Sequence, residues 1–231
     1  MQLQAPGKRI LLHVCCAPCS GAVIEALCRQ GLETVVFWSN GNICTAEENR
    51  RRLDTLLPYA AKFGVRVVED AYDHEAWRAF VCGRLGERSA AGLASYPERG
   101  ARCLECFRFR LQRAAAYAAA NGFDCLATSL ASSRWKSLEQ VEEAGRWAVA
   151  SCSPLCHSER SEESPSLCHS ERSEESPSSC HSERSEESPS LTFWPQNWRK
   201  GGLQPRRQEI IREEGFYNQT FCGCEYSLNY K

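Results

Sequence analysis

Short apolar segments alternate with amphipathic segments along most of this chain. The apolar segments have the length of buried strands, and the segments between them show the spacing of helices. This alternation predicts a mostly parallel β-sheet with helices on both faces, which is an α/β fold. We predict strands at residues 10–14, 34–38, 65–69, 123–128 and 191–194, and helices at residues 20–30, 45–63, 74–85, 103–121, 137–150 and 205–214.

The second predicted helix contains two local signals. Thr45 is a predicted N-cap, and Glu48 stands at the position that completes a capping box. Pro58 lies inside the same segment, where its missing N–H and its ring are expected to kink or split the helix.

Residues 152–191 interrupt the alternation with three copies of CHSERSEESPS, which recur with a period of 12 residues. The repeat contains too little apolar surface to offset the entropy of ordering it. We therefore predict a disordered or weakly helical insertion between a helix and a strand of one α/β catalytic domain, whose two parts are residues 1–151 and 192–231. The Cys-His pairs of the insertion lack CxxC spacing, so we assign them no ligand role.

The charge of the chain is divided unevenly. The formal net charge is −1, but the insertion holds nine Glu and three Arg, which leaves the remainder at +5. A mildly basic body permits an RNA partner without requiring one. No apolar run approaches the roughly 20 residues of a membrane span, and the start lacks the apolar region of a secretory signal. We therefore expect a cytoplasmic protein with no membrane association.

Fifteen cysteines in a chain expected in a reducing compartment indicate metal, iron–sulfur or redox chemistry. Cys15, Cys16 and Cys19 follow the first predicted strand, where a proline favours a turn into a helix whose N-terminus stabilises thiolates. Cys103 and Cys106 form a CxxC that shares one face of another helix. Four thiolates from two places suit Zn²⁺ or a [4Fe–4S] cluster, and the spacing does not distinguish these two.

A third cluster, Cys222-Gly223-Cys224, lies near the end of the chain. A disulfide between such close residues is strained and easily reduced, which suits a redox couple, although the same pair could also ligate a metal. Four other cysteines of the body stand alone, and we interpret them as small buried apolar side chains. They are Cys28, Cys44, Cys82 and Cys125.

Five segments, three of which contain the cysteine clusters, occur in the same order in a known family of proteins. They are LLHVCCAPCS (11–20), NGNI (40–43), AYDHEAW (71–77), ERGARCLECFRFRL (98–111) and FYNQTFCGCEYS (216–227). Together they resemble the epoxyqueuosine reductases of the QueH type, and the resemblance spans nearly the whole body and omits only the insertion.

The resemblance implies a nucleotide-α-hydrolase-like (HUP-type) fold and the reductive removal of the epoxide oxygen from epoxyqueuosine in a tRNA anticodon. It also implies ligands for a [4Fe–4S] cluster, which are Cys15, Cys16, Cys103 and Cys106. It further implies a redox-active disulfide between Cys222 and Cys224, and it makes Cys19 a candidate ligand of an additional iron. Beside the tRNA, the reaction requires an electron donor that the sequence does not identify.

Further side chains are weaker candidates for substrate contacts. Asp73 and His13 are candidates for proton delivery, and Arg110 with Arg113 could form a stripe that follows an RNA backbone. The other basic candidates are Arg50, Arg51, Arg52, Arg108, Arg134, Lys136, Arg199, Lys200, Arg206 and Arg207. Three tryptophans could stack on a base, although core packing is the favoured interpretation; they are Trp135, Trp194 and Trp198.

Two other functions compete with the reductase. An ATP-dependent tRNA sulfurtransferase would share the fold type, but it needs a Gly/Ser-rich phosphate loop where this chain has CCAPCSG. A zinc-stabilised RNA-binding module would need no catalysis, and it would contain zinc without iron.

Overall fold

The structure, a computed structural model, describes residues 3–133, 135–152 and 190–227. A five-stranded sheet lies at its centre, with every neighbouring pair parallel and the order β3-β2-β1-β4-β5. The strands are β1 (Arg9–Val14), β2 (Glu33–Trp38), β3 (Arg66–Glu69), β4 (Cys125–Thr128) and β5 (Thr192–Phe193). The helices are α1 (Ala17–Arg29), α2 (Ala46–Lys62), α3 (His74–Leu85), α4 (Ala101–Ala120), α5 (Leu138–Ala150) and α6 (Leu203–Glu213).

The predicted α/β class is confirmed. The helices pack in two groups around the sheet, α1 with α2 and α6, and α4 with α3 and α5. β1 lies between β2 and β4, and residues 10–14 are all buried, which explains their unbroken apolar run. Within the described residues, no helix combines the length and the apolar character needed to cross a bilayer.

The order of the strands reverses beside β1. The chain proceeds from β1 to β2 and β3 on one side, and then returns to place β4 and β5 on the other. In open parallel sheets, such a reversal leaves a crevice beyond the carboxyl ends of the two central strands, where ligands bind. The residues that follow β1 and β4 therefore occupy the favoured position for a functional site.

The local predictions for α2 are partly confirmed. Thr45 is the N-cap residue of the helix, as predicted, but its side chain makes no capping hydrogen bond among the described residues. The carboxylate of Glu48 accepts a hydrogen bond from Arg52 Nε at 2.7 Å. The helix continues past Pro58 without a split, and the carbonyl that loses its partner there belongs to Asp54, an exposed residue.

On either side of residues 153–189, the described residues form a helix and a strand. α5 ends at Ala150, and β5 begins at Thr192 and pairs with β4. The part after the insertion also contributes α6, which packs on α1, so both parts build one sheet with its helical layers. Residues 153–189 lie outside the described residues, and so does the prediction that they are disordered.

Candidate metal and thiol site

Three buried sulfurs lie together where β1 passes into α1. The Sγ atoms of Cys15 and Cys16 are 3.8 Å apart, and the sulfurs of Cys15, Cys16 and Cys19 all lie within 4.8 Å of one another. Their exposed fractions are 7%, 0% and 6%. Cys16 is the extended N-cap residue of α1, so the chain turns here and both neighbouring cysteines can face one side. This group, called the switch-point sulfurs below, is a donor set that could hold a metal.

The neighbouring strand helps to position this group. Ser129 directly follows β4, and its hydroxyl oxygen accepts a hydrogen bond from the Cys15 backbone N–H at 3.2 Å. The same hydroxyl lies 3.7 Å from Cys15 Sγ. The switch-point sulfurs therefore occupy the crevice at which the strand order reverses.

The pKa values of the three thiols are shifted in different directions. Hydrogen bonds from Cys16 and Cys19 lower the pKa of Cys15 well below its ordinary value, with help from the positive charges of Lys136 and Arg110. The same contacts raise the pKa of Cys16 well above normal and that of Cys19 to about 11. Cys15 is therefore the thiolate of the group. This is the protonation state that a metal ligand needs.

The CxxC pair lies in the first turn and a half of α4. Cys106 is buried, whereas Cys103 is half-buried and its Sγ accepts a hydrogen bond from the Arg99 backbone N–H at 3.3 Å. Burial raises the pKa of Cys106 to about 12, and nearby cysteine charges add to this effect. Burial raises the pKa of Cys103 as well, followed by the charge of Cys222. In the free protein these two are thiols, and a metal would displace their protons.

Cys222 and Cys224 are both free thiols in an irregular segment after α6. Gly223 between them has a φ of +129°, a conformation that favours glycine. Arg52 Nη1 on α2 donates a hydrogen bond to the Cys222 carbonyl at 3.1 Å, and Ser227 Oγ donates to the Cys224 carbonyl at 2.6 Å. These bonds hold the segment through its main-chain carbonyls. Burial raises the pKa of the Cys224 thiol to about 11, against a hydrogen bond with Ser227 that lowers it. We call Cys222 and Cys224 the C-terminal dithiol.

One cavity of about 200 Å³ joins the three clusters. Its lining includes Cys15 and Cys19 from the first cluster, Cys103 from the second and Cys222 from the third. Cys106 is not among the described residues that line the cavity, although the charges of Cys224 and Cys222 contribute, after burial, to raising its pKa. Sulfurs from three segments that are distant in sequence therefore reach one cavity.

Lys136 is a member of this site that sequence reasoning assigned to RNA binding alone. Burial lowers its pKa, but the charges of Cys222, Cys15 and Cys19 outweigh burial and raise the pKa above its ordinary value. The ammonium group is therefore a fixed positive charge among sulfurs from two clusters. Its only sequence signal is its place between β4 and α5, at the carboxyl edge of the sheet.

The two candidates for proton delivery, His13 and Asp73, form hydrogen bonds that stabilise the fold. His13 is fully buried, with Nδ1 at 2.8 Å from Thr128 Oγ1 and Nε2 at 3.2 Å from the Ser39 carbonyl oxygen. Burial, followed by the charge of Arg110, lowers the pKa of His13 to about 3, so the ring is neutral and links three strands. Asp73 caps α3 by accepting a hydrogen bond from a backbone N–H at 2.8 Å, and it is not among the described residues that line the cavity.

The predicted arginine stripe on α4 is wrong. Arg110 is 1% exposed and donates a hydrogen bond to the Asn40 side chain, while Arg113 pairs with the carboxylate of Asp70 at 2.8 Å. Arg110 therefore ties α4 to the loop after β2, and Arg113 ties it to the residue that follows β3. Arg52 is also buried, so it is another RNA candidate with a structural role.

Two of the three candidate tryptophans pack in the core, which is the role that the sequence analysis favoured. Trp194 and Trp198 belong to the core, at 7% and 1% exposure. Trp135 is 65% exposed, and it is one of the residues that line the cavity.

Comparison with known proteins identifies the family. The family model described as "Epoxyqueuosine reductase QueH" matches residues 10–159 and 157–230. The chain belongs to the QueH family. A QueH relative from Acinetobacter baylyi is 35% identical over 99% of this chain and 84% of its own length. QueH relatives from Histophilus somni and Haemophilus influenzae are each 32% identical over 99% of this chain and 75% of their own lengths. All three are named epoxyqueuosine reductases, which agrees with the resemblance of the five segments.

Proposed function

We propose that this chain reduces epoxyqueuosine to queuosine in tRNA. The observation that carries the proposal is the meeting of all three cysteine clusters at one cavity, at the position where parallel sheets bind ligands. Membership of the QueH family supports the same activity. The cavity holds thiols and a lysine instead of a phosphate-binding loop, which favours redox chemistry over ATP-dependent sulfur transfer.

The donors at the cavity fit an iron–sulfur cluster. We assign this role to Cys15, Cys16, Cys103 and Cys106, two pairs that together offer the four thiolates of a [4Fe–4S] cluster. Cys15 and Cys103 line the cavity, and Cys16 Sγ lies 3.8 Å from Cys15 Sγ. Lys136 offsets part of the negative charge of such a set. When bound, the cluster would supply electrons one at a time at low potential. Cys19 remains as a candidate ligand for an additional iron beside it.

Oxidation of the C-terminal dithiol can supply the electrons and protons that removal of the epoxide oxygen requires. Two C–O bonds of the epoxide break, an alkene forms, and the oxygen leaves as water after taking two protons and two electrons. Oxidation of Cys222 and Cys224 to a disulfide releases two electrons and two protons, so one dithiol matches one epoxide. An external reductant of thiol or ferredoxin type must then restore the dithiol.

Two further groups contribute to binding and proton transfer. Lys136 Nζ carries a proton at the wall that also contains Cys15 and Cys222, where it can stabilise the leaving oxygen. The exposed ring of Trp135 offers a face on which an unstacked base of the anticodon can stack.

Anaerobic purification followed by iron and sulfide analysis, and then incubation with epoxyqueuosine-bearing tRNA and a reductant, tests the proposal. We expect about four irons and four sulfides per chain, or one further iron, and conversion of epoxyqueuosine to queuosine in the nucleoside digest. Cys103→Ala should abolish the iron-derived absorption band, whereas Cys28→Ala on the outer part of α1 should leave it intact.

Three outcomes would contradict this proposal. Zinc without iron in protein kept from air would favour the RNA-binding module. Binding of ATP would favour the sulfurtransferase. An undiminished absorption band in Cys103→Ala would remove Cys103 from the ligand set.

A further inference from the structure

A second group of metal-ligating side chains lies outside the sulfur cavity. One ligand atom from each of Cys44, His74 and Glu225 lies within 4.8 Å of the other two. The three residues come from the loop after β2, the first turn of α3 and the segment that carries the C-terminal dithiol. They are not among the described residues that line the cavity. Sequence reasoning treated Cys44 as a lone buried cysteine, because its partners are about 30 and 180 residues away.

The imidazole of His74 is arranged as that of a metal ligand. Its Nδ1 lies 2.7 Å from the Gly41 carbonyl oxygen, which can only accept, so Nδ1 carries a hydrogen and, in the neutral ring, Nε2 presents its lone pair. This second hydrogen bond to a backbone carbonyl is the usual support of a metal-bound histidine. The ring also stacks on the fully buried Trp77, with 5.1 Å between the ring centroids.

Nε2 of His74 takes part in no hydrogen bond within the described structure. Nε2 is buried and has no hydrogen-bond partner among the residues that the structure describes. The closest oxygen of Glu225 is 3.7 Å away, which is beyond hydrogen-bonding distance. A buried acceptor without a partner costs free energy, so its persistence beside a thiol and a carboxylate points to a ligand.

The other two donors complete the set. Glu225 is held in place by Arg78, whose Nη2 lies 3.2 Å from Oε2 and whose Nε lies 3.3 Å from Oε1; each carboxylate oxygen has a second lone pair that these contacts do not use. Cys44 is half-buried, so an ion can reach its sulfur from solvent. Sulfur, imidazole nitrogen and carboxylate oxygen are together the donors that Zn²⁺ uses, and three protein ligands leave one position for water.

We infer that Cys44, His74 and Glu225 form a Zn²⁺ site separate from the proposed iron–sulfur cluster. Binding is an exchange of ligands without oxidation: the thiol proton of Cys44 is released, and the sulfur bonds to the ion. The site would fasten the dithiol segment to the loop after β2, where the Cys44 N–H already donates to the Gly223 carbonyl at 2.9 Å. The ion therefore stabilises the position of the C-terminal dithiol.

The test is zinc and iron analysis of the anaerobically purified full chain, desalted after incubation with excess ZnCl₂. We expect zinc in wild type to exceed that in Cys44→Ser and His74→Gln by about one equivalent, with iron unchanged. Cys82→Ser is the matched control, since Cys82 is a half-buried cysteine on α3 outside the group, and it should retain the extra zinc. Zinc titration should show an affinity at least about 100-fold lower in both ligand variants.

Thermal unfolding separates loss of the site from loss of the fold. Without zinc, the variants should unfold near the wild-type temperature, whereas saturating zinc should raise the Tm of wild type and Cys82→Ser alone, by about 5 °C. Equal zinc content in wild type and Cys44→Ser would overturn the inference, and so would a wild-type Tm that zinc leaves unchanged. Zinc content is measured apart from reductase activity, so either proposal can fail while the other stands.

Discussion

The switch-point sulfurs and the C-terminal dithiol reach the same cavity by different structural means. Cys15 and Cys16 form the two-residue link between the buried strand β1 and α1, and Cys19 lies in the first turn of α1, so two elements of the core hold them. Cys222 and Cys224 stand in an irregular segment, held by hydrogen bonds from Arg52, Ser227 and the loop after β2. A metal needs ligands at constant positions, whereas a dithiol must bring its sulfurs together and apart. The difference in support therefore matches the difference in proposed role.

The largest expected effect is on the switch-point sulfurs. Cys15→Ser replaces the thiolate of the group with a hydroxyl that iron binds poorly. We expect iron per chain to fall to about a tenth of the wild-type value or less, with loss of the visible absorption and of reductase activity. Cys28→Ser, near the end of the helix that follows Cys15, is the control and should keep iron, absorption and activity. Wild-type iron in Cys15→Ser would show that this group does not hold the cluster.

Substitution in the C-terminal dithiol should lower activity without loss of iron. Cys222→Ser prevents disulfide formation but leaves the four proposed ligands intact. We expect unchanged iron and absorption, with activity lower by about 100-fold or more. If iron were lost together with activity, Cys222 would be a ligand and the contrast between the two regions would be wrong.

Removing the support of the dithiol should have a smaller effect. Arg52 is buried, with its Nε at 2.7 Å from Glu48 and its Nη1 at 3.1 Å from the Cys222 carbonyl. Arg52→Ala removes the positive partner of Glu48, whose carboxylate keeps the hydrogen bond from Tyr217 Oη at 2.9 Å, and we expect a loss of about 3 kcal/mol in the free energy of unfolding. Urea unfolding measures this loss, and activity should fall while iron is retained.

A control for Arg52→Ala is available on the same helix. Arg50 forms an exposed ion pair with Asp54, and such pairs contribute little, so Arg50→Ala should change stability by about 0.5 kcal/mol or less. Equal losses in the two variants would show that Arg52 has no special role in holding the dithiol segment.

The smallest expected effect concerns the glycine of the dithiol. A Cβ at residue 223 would lie 3.0 Å from Ile43 Cγ1 and 3.1 Å from Arg52 Nη1, at a φ of +129°. Gly223→Ala should therefore lower the free energy of unfolding by about 2 kcal/mol and slow turnover with a thiol reductant. Gly83→Ala, in a helix with open space around it, should not destabilise. A neutral Gly223→Ala would mean that the segment relaxes easily.

Several features of this protein follow from local sequence. The apolar runs and helical spacings predicted five strands and six helices close to the observed ones, and α3 (His74–Leu85) has the predicted bounds. A strand buried on both faces has no polar alternation, so it is recognisable without knowledge of its neighbours. The cysteine clusters were also visible, because each is a short spacing along the chain.

Contacts distant in sequence were decided only by the tertiary structure. It placed Lys136 among sulfurs of two clusters, buried Arg110 and Arg52 as structural partners, and occupied both nitrogens of His13. It also brought Cys44, His74 and Glu225 within 4.8 Å of one another. A side chain's charge and type can be read from sequence, but its partners depend on how strands and loops are ordered in space. That order is a collective result of burying the sheet, which no short segment encodes.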